Sequence, residues 1–132
     1  MDEPGGVPHF ARGMVAVIDL VGEPHGGPMP AADLVISGED DGAGSSYWFG
    51  GVPETLAAGE QVIEFKNAGS ELHEFILIRL PEGMTLEEAF EAELEVDGTT
   101  WLGGPAPFEP GDRQLMRVDF EPGRYALFCF WE

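Results

Sequence analysis

Nineteen glycines and eleven prolines interrupt this chain at close intervals. Glycine opens positive φ, while proline fixes φ and removes a backbone donor, so the pattern favours many short elements over a helical bundle. The stretches left between them are β-branched or aromatic and of strand length: 14–21, 33–37, 47–49 stopped by Gly50-Gly51, 60–66, 73–80, 113–120 and 124–131. With 43% hydrophobic residues and nine Phe among 132 residues, a single domain spanning 1–132 can bury a real core. The expected fold class is all-β, a Greek-key β-sandwich of seven to eight strands with one short helix.

Within that frame, 60–66 alternates polar and apolar residues except near Ile63, which predicts one buried and one solvated face. Residues 73–80 are nearly all apolar and are expected inside. Asn67-Ala68-Gly69-Ser70 supplies the turn between them, the acidic Gly-rich stretch 39–45 reads as a loop, and 53–59 as an edge or turn. The helix is expected from the capping box Thr85-Leu86-Glu87-Glu88. Leu86, Ala89, Phe90 and Leu94 give it one apolar stripe, and Asp97-Gly98 ends it. Gly103-Gly104-Pro105-Ala106-Pro107 is a loop, and Glu121-Pro122-Gly123 turns the chain between the last two strands.

Charge excludes whole classes of partner. Twenty-five acidic against six basic residues give a net charge of −19, which repels nucleic acid and anionic membrane surfaces and permits a basic protein partner. Solubility or adaptation to high salt accounts for such acidity equally well. Glu87, Glu88, Glu91, Glu93 and Glu95 read as a solvated helix face, no Ser/His/Asp set or phosphate loop is visible, and no enzyme is expected. The single cysteine excludes an internal disulfide. Residues 1–14 carry neither a basic leader region nor a long apolar core, so neither a signal peptide nor membrane insertion is expected within this chain.

The soft-metal donors are few and oddly placed. His9 and Met14 lie near the start, His73 in the middle and Cys129 near the end, whereas His25 sits in a Gly/Pro linker and reads as solvent-exposed. Two imidazoles, one thiolate and one thioether are the donor set that suits a copper electron-transfer site.

The segments around those donors resemble a family. Asn67-Ala68-Gly69 followed by His73, Pro122-Gly123-Arg124-Tyr125 leading to Cys129, and the four-residue spacing from His9 to Met14 together look like the ligand motifs of the cupredoxins, the small blue copper proteins related to plastocyanin and azurin. In that family Cys, His and Met follow one another along one loop. Here the order is restored only if residue 132 is joined to the N-terminus, so the chain looks like a circularly permuted cupredoxin. Residues 1–21 then hold the His/Met segment and the family's last strand, 22–30 link the old termini, and 31–132 form the remainder of the sandwich. Glu74 stands where the family commonly has Asn after the first His.

The resemblance implies a type 1 copper protein, a one-electron carrier cycling Cu(I)/Cu(II), with one copper ion held by His73, Cys129, His9 and, axially, Met14. It also implies a periplasmic or extracellular location and a redox partner protein, for which a basic docking patch fits the charge. The backbone near Asn67 is expected to reach the sulfur and Gly103-Gly104 the metal face, with Pro8, Phe10 and Trp131 rimming His9. A copper carrier or store without fast electron transfer, and a metal-free β-sandwich interaction module, stay open as alternatives. A monomer is favoured, although the linker also permits a domain-swapped dimer.

Overall fold

Most strands start or stop beside turn residues. In the computed structural model, which describes residues 6–23 and 26–132, the strands are β1 (Leu34–Asp40), β2 (Tyr47–Gly50), β3 (Gly59–Asn67), β4 (Ile76–Arg79), β5 (Thr100–Gly103), β6 (Arg113–Phe120) and β7 (Tyr125–Phe128). They make a four-stranded sheet in the order β2-β1-β3-β6 and a three-stranded sheet in the order β5-β4-β7. All pairings are antiparallel except β1 with β3, where Ile36 stands beside Phe65.

Period-two patterning decides how the sheets meet. On β3, Ile63, Phe65 and Asn67 turn inward, while Glu60, Glu64 and Lys66 fall on the other face. Ile36, Ile63, Phe65, Val118 and Phe120 of the first sheet pack with Leu77 of the second and with Phe75, just before β4, in one core. Each such side chain contributes about 1.5–3 kcal/mol by leaving water. The outer face of the second sheet is also covered, since Ile78, Leu80, Ala126 and Phe128 pack under Ala89 and Leu94. Burial on both faces explains why the sequence around β4 is apolar almost without alternation. The architecture is an all-β sandwich with one short helix, α1 (Leu86–Glu91).

The capping box forms as expected: Thr85 Oγ1 accepts from the Glu88 amide at 3.2 Å, and Glu88 Oε2 accepts from the Thr85 amide at 2.8 Å. Thr85→Ala should cost about 1 kcal/mol, read as a lower urea midpoint at unchanged slope. The helix ends at Glu91, well before Asp97-Gly98. Glu93 and Leu94 adopt φ of 55° and 59°, and the Leu94 amide bonds back to the Ala89 carbonyl at 2.8 Å. That reversal buries Leu94 against the sheet, which a continuing helix would carry past it.

Several strand expectations need correction, and the expected strand 73–80 narrows to Ile76–Arg79. β1 runs through Glu39 and Asp40, so the loop begins only at Asp41. β5 was not expected, and β7 stops at Phe128. Residues 14–21 form no strand: they follow a 3-10 turn, His9–Arg12, closed at Gly13 with φ 100°, and make no ladder with either sheet. A strand exists only through its partners' hydrogen bonds, and here β-branched composition alone does not supply them. His25 lies outside the described residues.

Candidate metal centre

The site grows from the ends of β1 and β7. Ile36 and Gly38 face the core, and by the same parity Asp40 points inward at the strand end. Its Oδ1 accepts from the Gly42 amide at 2.9 Å and the Ser70 hydroxyl at 2.6 Å. Its Oδ2 accepts from the amides of Ser70 and Glu71 at 2.8 and 3.1 Å and lies 3.0 Å from His73 Nε2. These donors, the Ser70 hydroxyl foremost, hold the Asp40 carboxyl well below the usual carboxylate range, against the burial that pushes it up. An ionised carboxylate can only accept, so His73 carries its proton on Nε2 and turns Nδ1 free for another role.

Two glycines make this approach possible. A Cβ at Gly69 would lie 2.1 Å from Asp40 Oδ2 and 2.6 Å from His73 Nε2, and one at Gly38 would press on the His73 side chain at 3.0 Å. Buried Asn67 closes the loop, donating to the carbonyls of Glu71 and Phe108 at 2.7 and 2.8 Å and accepting from the Gly69 amide at 3.0 Å. The neighbouring Asp41 serves only its own loop, bonding the Ser45 hydroxyl and the Ala43 and Ser45 amides, which lower its pKa to about 2.

Cys129 follows β7 and is half-buried. Its Sγ accepts the Glu74 amide at 3.4 Å, and Glu74 Oε1 in turn accepts the Phe130 amide at 2.6 Å. Glu74 thereby ties the residue after His73 to the residue after Cys129. The expected contact from the Asn67 backbone to the sulfur is replaced by this one, because the Asn67 amide bonds the Asp112 carbonyl at 2.9 Å. Gly104 does not face the site either: a Cβ there would lie 1.6 Å from the Phe75 carbonyl oxygen. His73 and Cys129 line one cavity of about 410 Å3 together with Tyr47, Trp48, Glu71 and Trp131.

The other two expected donors are elsewhere. Neither His9 nor Met14 lines that cavity; His9 sits on the exposed 3-10 turn, and Met14 is 74% exposed. Of the expected rim, Trp131 lines the cavity, whereas Phe10 is 66% exposed and does not. Among the described residues no group of three or more His, Cys, Asp or Glu is placed to hold a metal ion. The pair that does converge fits a soft metal all the same. An imidazole fixed by a carboxylate on its far nitrogen is the usual support of a metal-ligating His, and hydrogen bonding around a Cys sulfur tunes the metal it binds. Asp40, expected in the loop 39–45, belongs to this candidate site without having been among its expected residues.

If His73 ligates a soft metal ion, Asp40→Asn should weaken its binding by about 10–100-fold, the usual effect of removing an outer partner of a ligand histidine, measured by competition with a chelator. The same change should alter acid stability. A carboxylate whose pKa is depressed on folding stabilises fully above its unfolded value of about 4, and that contribution fades as pH falls below it. In acid titrations the native protein should lose stability below about pH 4, and the variant should lack this component. No family model, curated protein or solved structure matches the chain.

Proposed function

We propose that this chain is a type 1 copper protein, a one-electron carrier built as a circularly permuted cupredoxin with Greek-key connections. The observation that carries the reading is the pairing of His73, held at Nε2 by Asp40, with Cys129, whose sulfur accepts the Glu74 amide, on one aromatic-lined cavity. His73 and Cys129 would hold the ion, joined by His9 and Met14 from the N-terminal segment. Copper so bound supplies reversible Cu(I)/Cu(II) exchange. Asp40 keeps the imidazole in one tautomer, the Glu74 amide stabilises negative charge on sulfur, and Tyr47, Trp48 and Trp131 line the opening. A net charge of −19 favours a basic redox partner, whose association should slow as salt rises. A periplasmic or extracellular setting belongs to the same reading.

The test is addition of Cu(II) to the reduced protein. The expected result is an intense visible thiolate-to-copper band saturating at one equivalent, with a matching EPR signal. Stoichiometric copper without that band would sink the reading. The exposure of His9 and Met14 favours a second one, a copper carrier with an open site; it predicts copper uptake with slow electron self-exchange.

A further inference from the structure

The four-stranded sheet ends in an unpaired edge. β6 is its last strand, and among the described residues no backbone group of 113–120 bonds to anything but β3. At eight residues it is twice as long as the other three edge strands, β2, β5 and β7. It holds no proline, and its register with β3 runs unbroken from Phe120 opposite Gly59 to Arg113 opposite Lys66. A long, regular, unpaired edge is a template for another strand.

The charges on its solvent face are placed awkwardly for one chain. Alternation puts Arg113, Leu115, Arg117 and Asp119 outside, with Met116, Val118 and Phe120 toward the core. Across the ladder Arg113 stands opposite Lys66 and Asp119 opposite Glu60, and like charges directly opposed destabilise a sheet. Arg113 and Arg117 lean diagonally to Glu64 and Glu60 at 2.9 and 3.7 Å, whereas Asp119 has no ion pair among the described residues. One end of the β3–β6 ribbon is therefore rich in basic groups and the other in acidic ones.

We infer that β6 pairs antiparallel with β6 of a second copy about a two-fold axis at Met116, joining two four-stranded sheets into one of eight strands. Arg113 of each copy then stands opposite Asp119 of the other, and Leu115 opposite Arg117. The charges select this register. A slip by one residue turns the core face of one copy onto the solvent face of the other, and a slip by two sets Arg117 against Arg117 or Arg113. The ribbon face is also neutral, with Lys66, Arg113 and Arg117 against Glu60, Glu64 and Asp119, in a chain of net charge −19, which lowers the repulsion between copies there. The Arg113 end adjoins Asn67, whose amide bonds the Asp112 carbonyl, so the two-fold sends the two metal centres to opposite ends of the dimer and leaves both open. The association needs no metal and stands apart from the copper reading.

A single strand edge makes a weak, exchanging contact, so the test is sedimentation of the full, metal-free chain under reducing conditions, from about 10 µM to about 1 mM. Salt of about 0.15 M screens the repulsion beyond about 8 Å. The expected result is a reversible monomer–dimer equilibrium. Asp119→Arg should raise the dissociation constant by about tenfold or more, because it sets Arg against Arg at both ends of the interface. Asp119 is exposed, and its replacement gains Glu60 as an opposite charge, so this variant stays folded and decides the case by itself. Arg113→Asp should dissociate the dimer equally. An equimolar mixture of the two variants should restore it, since only the mixed pair places Arg opposite Asp at both ends. A monomer at every concentration overturns the inference, as does a dimer indifferent to Asp119→Arg, the behaviour expected of a swapped N-terminal segment. A mixture of two folded variants that stays monomeric overturns the register.

Discussion

Phe75→Ala should destabilise the protein by about 3–5 kcal/mol, a large share of the 5–15 kcal/mol typical of a whole domain. The Phe75 ring is completely buried and lies 4.9–5.5 Å from the ring centres of Phe49, Phe65 and Phe108. It joins β2, β3 and the loop before β6 to the start of β4, so its removal opens a cavity that four separate segments would have to move to fill. The backbone is closed there too, since Gly104 packs directly on the Phe75 carbonyl. Thermal unfolding should shift down by roughly 10–20 °C. His73 lies two residues away and should lose its fixed position before the fold is lost, visible as weaker copper binding at temperatures where the variant is still folded. A shift of only a few degrees would show that the ring cluster does not hold the sheets together.

Cys129→Ser should abolish the visible copper band completely while leaving the fold intact. A serine hydroxyl is close in size to the thiol and can still accept the Glu74 amide, so the tie between residues 74 and 129 survives. It stays protonated at neutral pH and is a hard donor, so it cannot provide the soft thiolate bond from which the charge-transfer transition arises. The informative outcome is therefore spectroscopic and not structural: an unchanged melting temperature with no blue colour. A variant that keeps the band would mean that the colour has another source, and the assignment of Cys129 would be withdrawn.

How far the sequence could be read depended on which interactions were local. Thr85 and Glu88 cap α1 through bonds three residues apart, and β3 shows its inner face in its own alternation, so both could be read without a fold. β5 could not, because Thr100–Gly103 has little strand signature of its own and exists through pairing with β4. The early end of α1 depended on the surface offered to Leu94 by β4 and β7. Asp40 was within reach of the pattern: extending β1 by parity from Ile36 through Gly38 places it on the inner face. What hid it was the run Glu39-Asp40-Asp41-Gly42, whose acidity and glycine read as solvated loop.

The donors themselves show the same division. Residue chemistry and the family resemblance single out His73, Cys129, His9 and Met14 as candidate soft donors, because donor character belongs to the side chain wherever it sits. Convergence does not, since it depends on strand ends separated by tens of residues and on glycines that let backbones touch. The structure brings His73 and Cys129 to one cavity and leaves His9 and Met14 on an exposed segment, because His73, bridged to Phe108, and Cys129, just past β7, flank paired strands and the second pair does not. By itself the sequence determined that this protein is a turn-punctuated β-chain with one set of soft donors; which donors meet was decided by hydrogen-bonded sheet edges that only the tertiary structure contains.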